Sequence, residues 1–351
     1  MKAARIVKVK QPLEVQELKL QKPRGSQVVV KVQAVGVCHS DIHLWEGGYE
    51  GPSGKFLKTT DRGIKYPLTP GHEIAGIVDS VGEQVDGFTK NERVVVYPWI
   101  GEGLCPACRA GDENLCDKPR SLGVKTDGGY AEYVILPSFK YLVKLGEEMD
   151  TNASATLPCS ALTAYGAVKN AGLRPDDNVV IVGAGGLGLM AIQLAKAITG
   201  ARVIVIDRDT SKLKAAKTSG ADIIINPKKE NPRKAVMEIT DKMGADAVID
   251  FVNNSKTVKT DMEILRRRAR VVLVGLFGGA LQLNLVTMPT RAYRLIGSYT
   301  GNMTDMVELV SLAKRGIIKP MISEKFTLDQ ATRALTRLKA GKIDGRAVIN
   351  P

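Results

Sequence analysis

The sequence predicts an α/β chain of two domains, a doubly wound parallel sheet joined to a β-rich domain. Three observations carry this. The 351 residues are long for one domain and comfortable for two. Residues 1 to about 150 hold short β-branched runs bounded by Gly and Pro, among them QVVVKVQAVGV, HEIAGIVDSVG, ERVVVYP and GGYAEYVILP. From about residue 155 the texture changes to apolar strand followed by helix, repeatedly, which implies parallel βαβ units.

The strands of the second region read as NVVIVGA, ARVIVID, ADIIIN, DAVIDF, RVVLVGL and YRLIGSY. Six is the number a full dinucleotide-binding sheet requires. Helical periodicity fills most of the gaps, as in LGLMAIQLAKAIT and SKLKAAKTSG. The tail from about residue 300 returns to two amphipathic helices, DMVELVSLAKRG and LDQATRALTRLKAG, and a last strand, GRAVIN. The expected division is therefore 1–156 with 298–351 for the β-rich domain and 157–297 for the doubly wound one.

Composition narrows the class. Apolar residues make up 44% and charged residues 25%, ordinary for a globular protein with a sizeable core. The opening segment carries charges throughout and has no apolar run of signal-peptide length. Runs such as VVLVGLF are too short to cross a bilayer. The expectation is a cytoplasmic protein without a membrane partner. Lys and Arg exceed Asp and Glu, for a net charge of +13, but the basic residues are scattered, with short runs such as RRRAR at 266–270 read as solvated surface. Aromatics are only 5%, so no basic stripe interleaved with aromatics speaks for nucleic acid. The excess of positive charge would instead steer anionic small molecules. Five cysteines is an odd number, and three of them sit in CPACRAGDENLC, a spacing that in a cytoplasmic protein points to metal before disulfide.

The glycine pattern VVIVGAGGLGLMAIQLAKA places Gly183, Gly185 and Gly188 directly after an apolar strand and at a helix start, with Gly186 and Leu187 between them. Each glycine then has a mechanical task. Gly183 permits the tight turn, Gly185 lets backbone approach a pyrophosphate, and Gly188 lets helix and strand pack closely. The second strand ends in Asp207, where a carboxylate binds adenosine ribose hydroxyls and repels a 2′-phosphate. That favours NAD(H). Arg208 and Lys212 could accept such a phosphate, which leaves NADP(H) open.

The stretch GVCHSDIH holds one of the five cysteines and two of the three histidines, Cys38, His39 and His43. A catalytic zinc needs protein ligands that leave one position open, and thiolates with an imidazole suit it. Cys38 offers one thiolate, PGHEIAG supplies His72 and Glu73, and LPCSALTAYGA supplies Cys159. These are far apart in the chain, and a buried free cysteine is common.

Taken together and in order, GVCHSDIH, GHEIAGIV, GEGLCPACRAGDENLC and VGAGGLGLMAIQLAK resemble the zinc-dependent medium-chain alcohol dehydrogenases over essentially the whole chain. The resemblance implies a GroES-like catalytic domain beside a Rossmann domain, and two zinc ions per chain. It implies that Cys38, His72 and Cys159 hold a catalytic zinc, the ligand set known for alcohol dehydrogenase, with Glu73 a ligand or an alternating one. Asp41 resembles the carboxylate that orients the histidine ligand. Ser40 and His43 resemble a relay that carries the alcohol proton by way of the cofactor ribose to solvent, and His39 resembles a contact to cofactor phosphate. Cys105, Cys108 and Cys116, with Glu102 in place of the fourth cysteine most relatives carry, resemble a structural zinc site. Gly275 and Leu276, in VGLFGG, fall where the family backs the nicotinamide ring. Arg346 resembles the arginine that approaches Glu73 or the cofactor phosphates, and Trp99 falls at a pocket wall.

The function implied is interconversion of alcohols with aldehydes or ketones by hydride transfer on a small-molecule substrate, in a homotetramer or, failing that, a dimer. The loop YEGPSGKFLKTTDRGIKYP at 49–67 carries four Lys or Arg, which suggests a carboxylate-bearing substrate such as a short ω-semialdehyde. A reading of another class is a zinc-stapled nucleic-acid-binding or scaffold protein on a retired dehydrogenase fold. The intact relay residues and Asp207 argue against it.

Overall fold

A computed structural model describes residues 1–51 and 54–351. The chain forms two compact units. One comprises Met1–Gly48, Lys58–Leu162 and Gly301–Pro351, the other Tyr49–Leu57 and Thr163–Thr300. Pro52 and Ser53 of the 49–67 loop lie outside the described residues. Around them Gly48–Glu50 pairs with Phe56–Lys58 as a two-stranded sheet, and Lys55, Lys58, Arg62 and Lys65 are exposed. Among the described residues no helix is long and apolar enough to cross a membrane.

The second unit is a six-stranded parallel sheet. Its spatial order is Ile223–Ile225, Arg202–Ile206, Asn178–Val182, Ala245–Asp250, Leu265–Leu273, Arg294–Gly297. Numbered along the chain, this is 3-2-1-4-5-6, the order of dinucleotide-binding sheets, whose ligand crevice opens where strands 1 and 4 part. The two central strands are buried on both faces, Val179–Val182 and Ala245–Asp250, which is why their sequences are unbroken apolar runs rather than alternating ones. Helices are started by side chains: Asp209 accepts from the N–H groups of Ser211 and Lys212, and Asn254 from those of Lys256 and Thr257.

The run at 266–270 is solvated, as expected, and it also forms part of the strand Leu265–Leu273. Pairing jumps from Ala245↔Leu265 to Ala247↔Arg270, so the extra residues bulge outward, with Arg268 in the left-handed region at φ 65°. A bulge leaves its residues unpaired. The exposed Arg266, Arg267 and Arg268 are its solvated side, and Arg266 reaches the buried Asp246 carboxylate at 2.6 Å.

The first unit is built on a mostly antiparallel seven-stranded sheet in which Val28–Gly36 is central. That strand pairs with Glu73–Val81, with Tyr133–Leu136 and with Arg346–Asn350. Two registers are decisive. Gly36 lies opposite Glu73, and Val348 lies opposite Gly36, with Val37 N–H donating to the Ala347 carbonyl at 2.9 Å. Strand pairing alone therefore delivers residues 38, 72, 73 and 346 to one sheet end.

Candidate active site

Beyond Gly36 the chain turns into the helix His39–Glu46, with Cys38 as its N-cap. Asp41, at the third helical position, reaches back and accepts the Cys38 N–H at 2.9 Å, the reciprocal half of a capping box. Across the sheet end, Glu73 lies over Gly36, where a Cβ would come within 1.9 Å of its carboxylate. The third approach is a π-helical turn, Leu157–Ala161, buried throughout, which carries Cys159. Trp99 steadies it: its indole N–H donates to the Pro158 carbonyl at 2.9 Å, and its ring lies 5.3 Å from that of His72.

The result is a buried cluster of Cys38, His72, Glu73 and Cys159 whose ligand atoms lie within 4.8 Å of one another. The two sulfurs are 3.9 Å apart. His72 is fully buried, neither ring nitrogen has a hydrogen-bond partner, and Nδ1 faces Asp41 Oδ1 at 3.4 Å. Glu73 pairs with Arg346, buried like itself, and its other oxygen is unpartnered.

The electrostatics say what such a cluster wants. The Cys159 sulfur holds the Cys38 thiol well below its ordinary pKa despite burial, with His72 and Arg346 helping, while the same contact and burial push Cys159 up. Burial would lower His72, but Asp41 and Cys38 outweigh it and hold the imidazole well above its usual value. Burial pushes Glu73 up to about 7, against the pull of Arg346. The cluster thus sets a Cys38 that releases its proton readily beside an imidazole, a second thiol and a carboxylate that hold theirs. Two thiols, an orphaned imidazole and a carboxylate in that condition fit a divalent zinc ion, which binds thiolate and imidazole together.

Ser40 and His43 sit one turn apart on the helix that starts at Cys38, both partly exposed, and His39 is exposed at its first turn. Burial lowers the pKa of His43, so at neutral pH it is the uncharged, proton-accepting form.

The second cysteine group is local. Cys105 caps the short helix Pro106–Arg109 and Cys116 follows the turn Glu113–Leu115. Cys105 Sγ lies 3.5 Å from Cys108 Sγ and 3.8 Å from Cys116 Sγ. Backbone N–H groups of Cys108 and Asp117 lower the Cys105 thiol, while burial raises Cys108 to about 11. Among the described residues this group contains three thiols and not the Glu102 carboxylate. Glu102 gives its backbone N–H to Cys116 Sγ at 3.3 Å, which places it at the edge of the three-thiol group. Sequence reasoning also passed over Glu113, whose carboxylate accepts from Gly101 N–H, Tyr141 O–H and Lys140 and so ties this loop down.

In the second unit, Gly183 (φ 94°) makes the turn after the first strand, and a Cβ on Gly188 would sit 1.9 Å from the Gly183 carbonyl oxygen. Around Gly185, by contrast, a Cβ would meet nothing within 4 Å, and the helix Gly186–Thr199 starts there with no side-chain cap on its first N–H groups. The Asp207 carboxylate accepts from Ala184 N–H at 2.8 Å and Asp209 N–H at 2.9 Å, fastening the second strand's end to the glycine turn. Arg208 is exposed and Lys212 partly so. Gly275 is buried against Val252 and holds Asn253 through its carbonyl at 2.7 Å, while Leu276 is exposed. Asp250 and Asn253, at the end of the fourth strand, carry no distinguishing signal in the sequence, because an Asp ending an apolar run is common.

Comparison with known proteins agrees with this geometry. Residues 24–147 match the alcohol dehydrogenase GroES-like domain and residues 186–315 match the zinc-binding dehydrogenase family. The chain is 43% identical to an NAD-dependent alcohol dehydrogenase of Sulfurisphaera tokodaii over the full length of both. Its fold superposes on the alcohol dehydrogenase of Aeropyrum pernix with a TM-score of 0.91, at 35% identity and full coverage of both chains. A cobalt- and zinc-bound thermostable alcohol dehydrogenase from Pyrobaculum aerophilum matches with a TM-score of 0.86 at 29% identity, covering 100% of this chain and 99% of that one. The chain belongs to the zinc-dependent medium-chain alcohol dehydrogenase family.

Proposed function

We infer that this chain oxidises small alcohols to aldehydes or ketones, and runs the reverse reduction, with NAD(H) as hydride carrier. The observation that carries the reading is the buried convergence of Cys38, His72, Glu73 and Cys159, in a chain whose full-length relatives include NAD-dependent alcohol dehydrogenases. When bound, zinc would supply Lewis acidity toward the alcohol oxygen and NAD would supply hydride-accepting capacity. Cys38, His72 and Cys159 hold the metal, and Asp41 fixes the imidazole. Glu73, balanced between Arg346 and the thiols, serves as an alternating ligand. Ser40 and His43 carry the proton to solvent, with His43 kept ready to accept it by its lowered pKa. The glycine turn and the following helix N-terminus take the pyrophosphate, with His39 and Gly275 as further cofactor contacts, and Asp207 takes the ribose hydroxyls. Cys105, Cys108 and Cys116 hold a second, structural zinc, with Glu102 the candidate for its fourth position.

A reducing compartment suits the five unpaired cysteines, and the cytoplasm is the proposed location. A homotetramer is the proposed assembly. The sheet edge Arg294–Gly297 ends the second unit's sheet, and Leu276, Phe277, Leu285, Val286 and Leu295 are exposed in the same unit, surface that self-association would cover. The semialdehyde and scaffold readings are not favoured by the relatives found.

Metal analysis together with an alcohol panel, read by nicotinamide absorbance with NAD and NADP in parallel, tests the function. About two zinc ions per chain, matching the two clusters, and NAD-linked turnover are expected. A single zinc, or no turnover of any alcohol, overturns it.

A further inference from the structure

The Asp41 carboxylate is wholly buried and lies among four polar neighbours, three hydrogen-bond donors and the His72 ring. Three belong to the loops that carry the metal-binding side chains: Cys38 N–H on Oδ2, Gly71 N–H on Oδ1 at 3.2 Å, and the His72 ring facing Oδ1. The fourth is the hydroxyl of Tyr130, which donates to Oδ2 at 3.2 Å. Tyr130 is itself fully buried and comes from a different segment, the chain leading into Tyr133–Leu136.

That segment is fitted to the loop ahead of His72. Gly128 N–H donates to Thr69, Gly129 N–H to Gly71 and Tyr130 N–H to Pro70, at 2.8, 2.6 and 3.0 Å. The phenol ring lies against Gly71, where a Cβ would come within 2.3 Å of Tyr130 Cδ1. Gly71 sits at φ 90°, so both its backbone and its missing side chain make room for the ring. The Ala4 N–H donating to the Tyr130 carbonyl at 2.8 Å holds the other side.

We propose that Tyr130 is a positioning residue for the cation site of Cys38, His72 and Cys159: its hydroxyl locks the Asp41 carboxylate, and Asp41 in turn locks the His72 ring. The inference rests on the zinc reading of this cluster. A carboxylate has about four acceptor sites; three are met here by directional donors, and His72 Nδ1 stands 3.4 Å from Oδ1. Removing the hydroxyl leaves Oδ2 with a single donor in a site closed to water, free to rotate away from the imidazole. Outer partners of this kind change metal affinity by about 10–100-fold.

Tyr130→Phe keeps the ring that fills the space over Gly71 and removes only the oxygen. Zinc release from the holoprotein to a chromogenic chelator gives one phase per site, and Cys159→Ala assigns the phase that belongs to the buried cluster. Tyr130→Phe is expected to speed that phase by about 10–100-fold and leave the three-thiol phase unchanged. In cobalt-loaded protein its visible ligand-field bands are expected to shift. In an Asp41→Asn background the same change adds nothing, because the path runs through that carboxylate. Unchanged release with superimposable cobalt spectra overturns the proposal. Equal acceleration of both phases with a lowered melting temperature, or full additivity with Asp41→Asn, also overturns it, since either marks general loosening. If Cys159→Ala removes neither phase, the zinc reading itself has failed, which is a separate result.

Discussion

Asp261 offers a sharp test of the energetic reasoning because its burden can be worked with its sign. It lies on the helix Ser255–Glu263 with its side chain fully buried, and neither carboxylate oxygen has a hydrogen-bond partner. Its neighbour Asp250 already accepts from Val252 N–H, Asn253 N–H and Thr257 O–H. Burial, and then the Asp250 carboxylate, push Asp261 up to about 10. An unfolded aspartic acid titrates near about 3.9. Between those values the folded chain keeps a proton that the unfolded chain has lost, so the stability associated with this group is complete below about pH 4 and drains away as pH rises toward 10. The slope is at most about 1.4 kcal/mol per pH unit, a ceiling of about 4 kcal/mol by pH 7. Asp261→Asn is uncharged in both states, nearly the same size, and retains N–H groups to offer Asp250. Its melting temperature relative to the parent is therefore expected to climb steadily from about pH 5 to about pH 9, measured by thermal unfolding at fixed zinc and protein concentration. A difference that stays constant across that range would refute the argument.

Two further outcomes rest on close contacts. Arg346→Met leaves Glu73 buried without the guanidinium that pairs with it, and one Glu73 oxygen is already unpartnered. The expected loss is about 3–5 kcal/mol, read as a large drop in melting temperature; an unchanged melting temperature would show that the pair contributes nothing. Gly188→Ala places a Cβ 1.9 Å from the Gly183 carbonyl, so the helix must lift from the strand. NAD binding by calorimetry is expected to weaken at least about tenfold with zinc content intact, and equal affinity would mean the helix does not set the phosphate site.

Much of the architecture could be read from the chain because its causes are local. An apolar run ending at Gly183 and opening into a helix announces strand, turn and helix within a dozen or so residues, and the structure has them at Asn178–Val182 and Gly186–Thr199. The lobe of Cys105, Cys108 and Cys116 was visible for the same reason: its loop is short enough that spacing nearly dictates proximity. Other features depend on what packs against what. The run at 266–270 reads as solvated surface because charge is its local property, and its Arg266, Arg267 and Arg268 are exposed. Its place in a strand is set by pairing with Ala245 and Ala247. The Glu102 backbone N–H on Cys116 is likewise set by how the loop folds back on itself, which residue spacing alone does not give.

By itself the sequence determined the kinds of element, their order and the inventory of candidate metal-binding side chains, since hydrogen-bonding propensity and apolar periodicity act between near neighbours. Only the tertiary structure decided that Cys38, His72, Cys159 and Arg346 share one dry space, and that Tyr130 closes on Asp41. Those meetings are set by strand register, Gly36 against Glu73 and against Val348, and a shift of one residue would turn the same side chains to opposite faces.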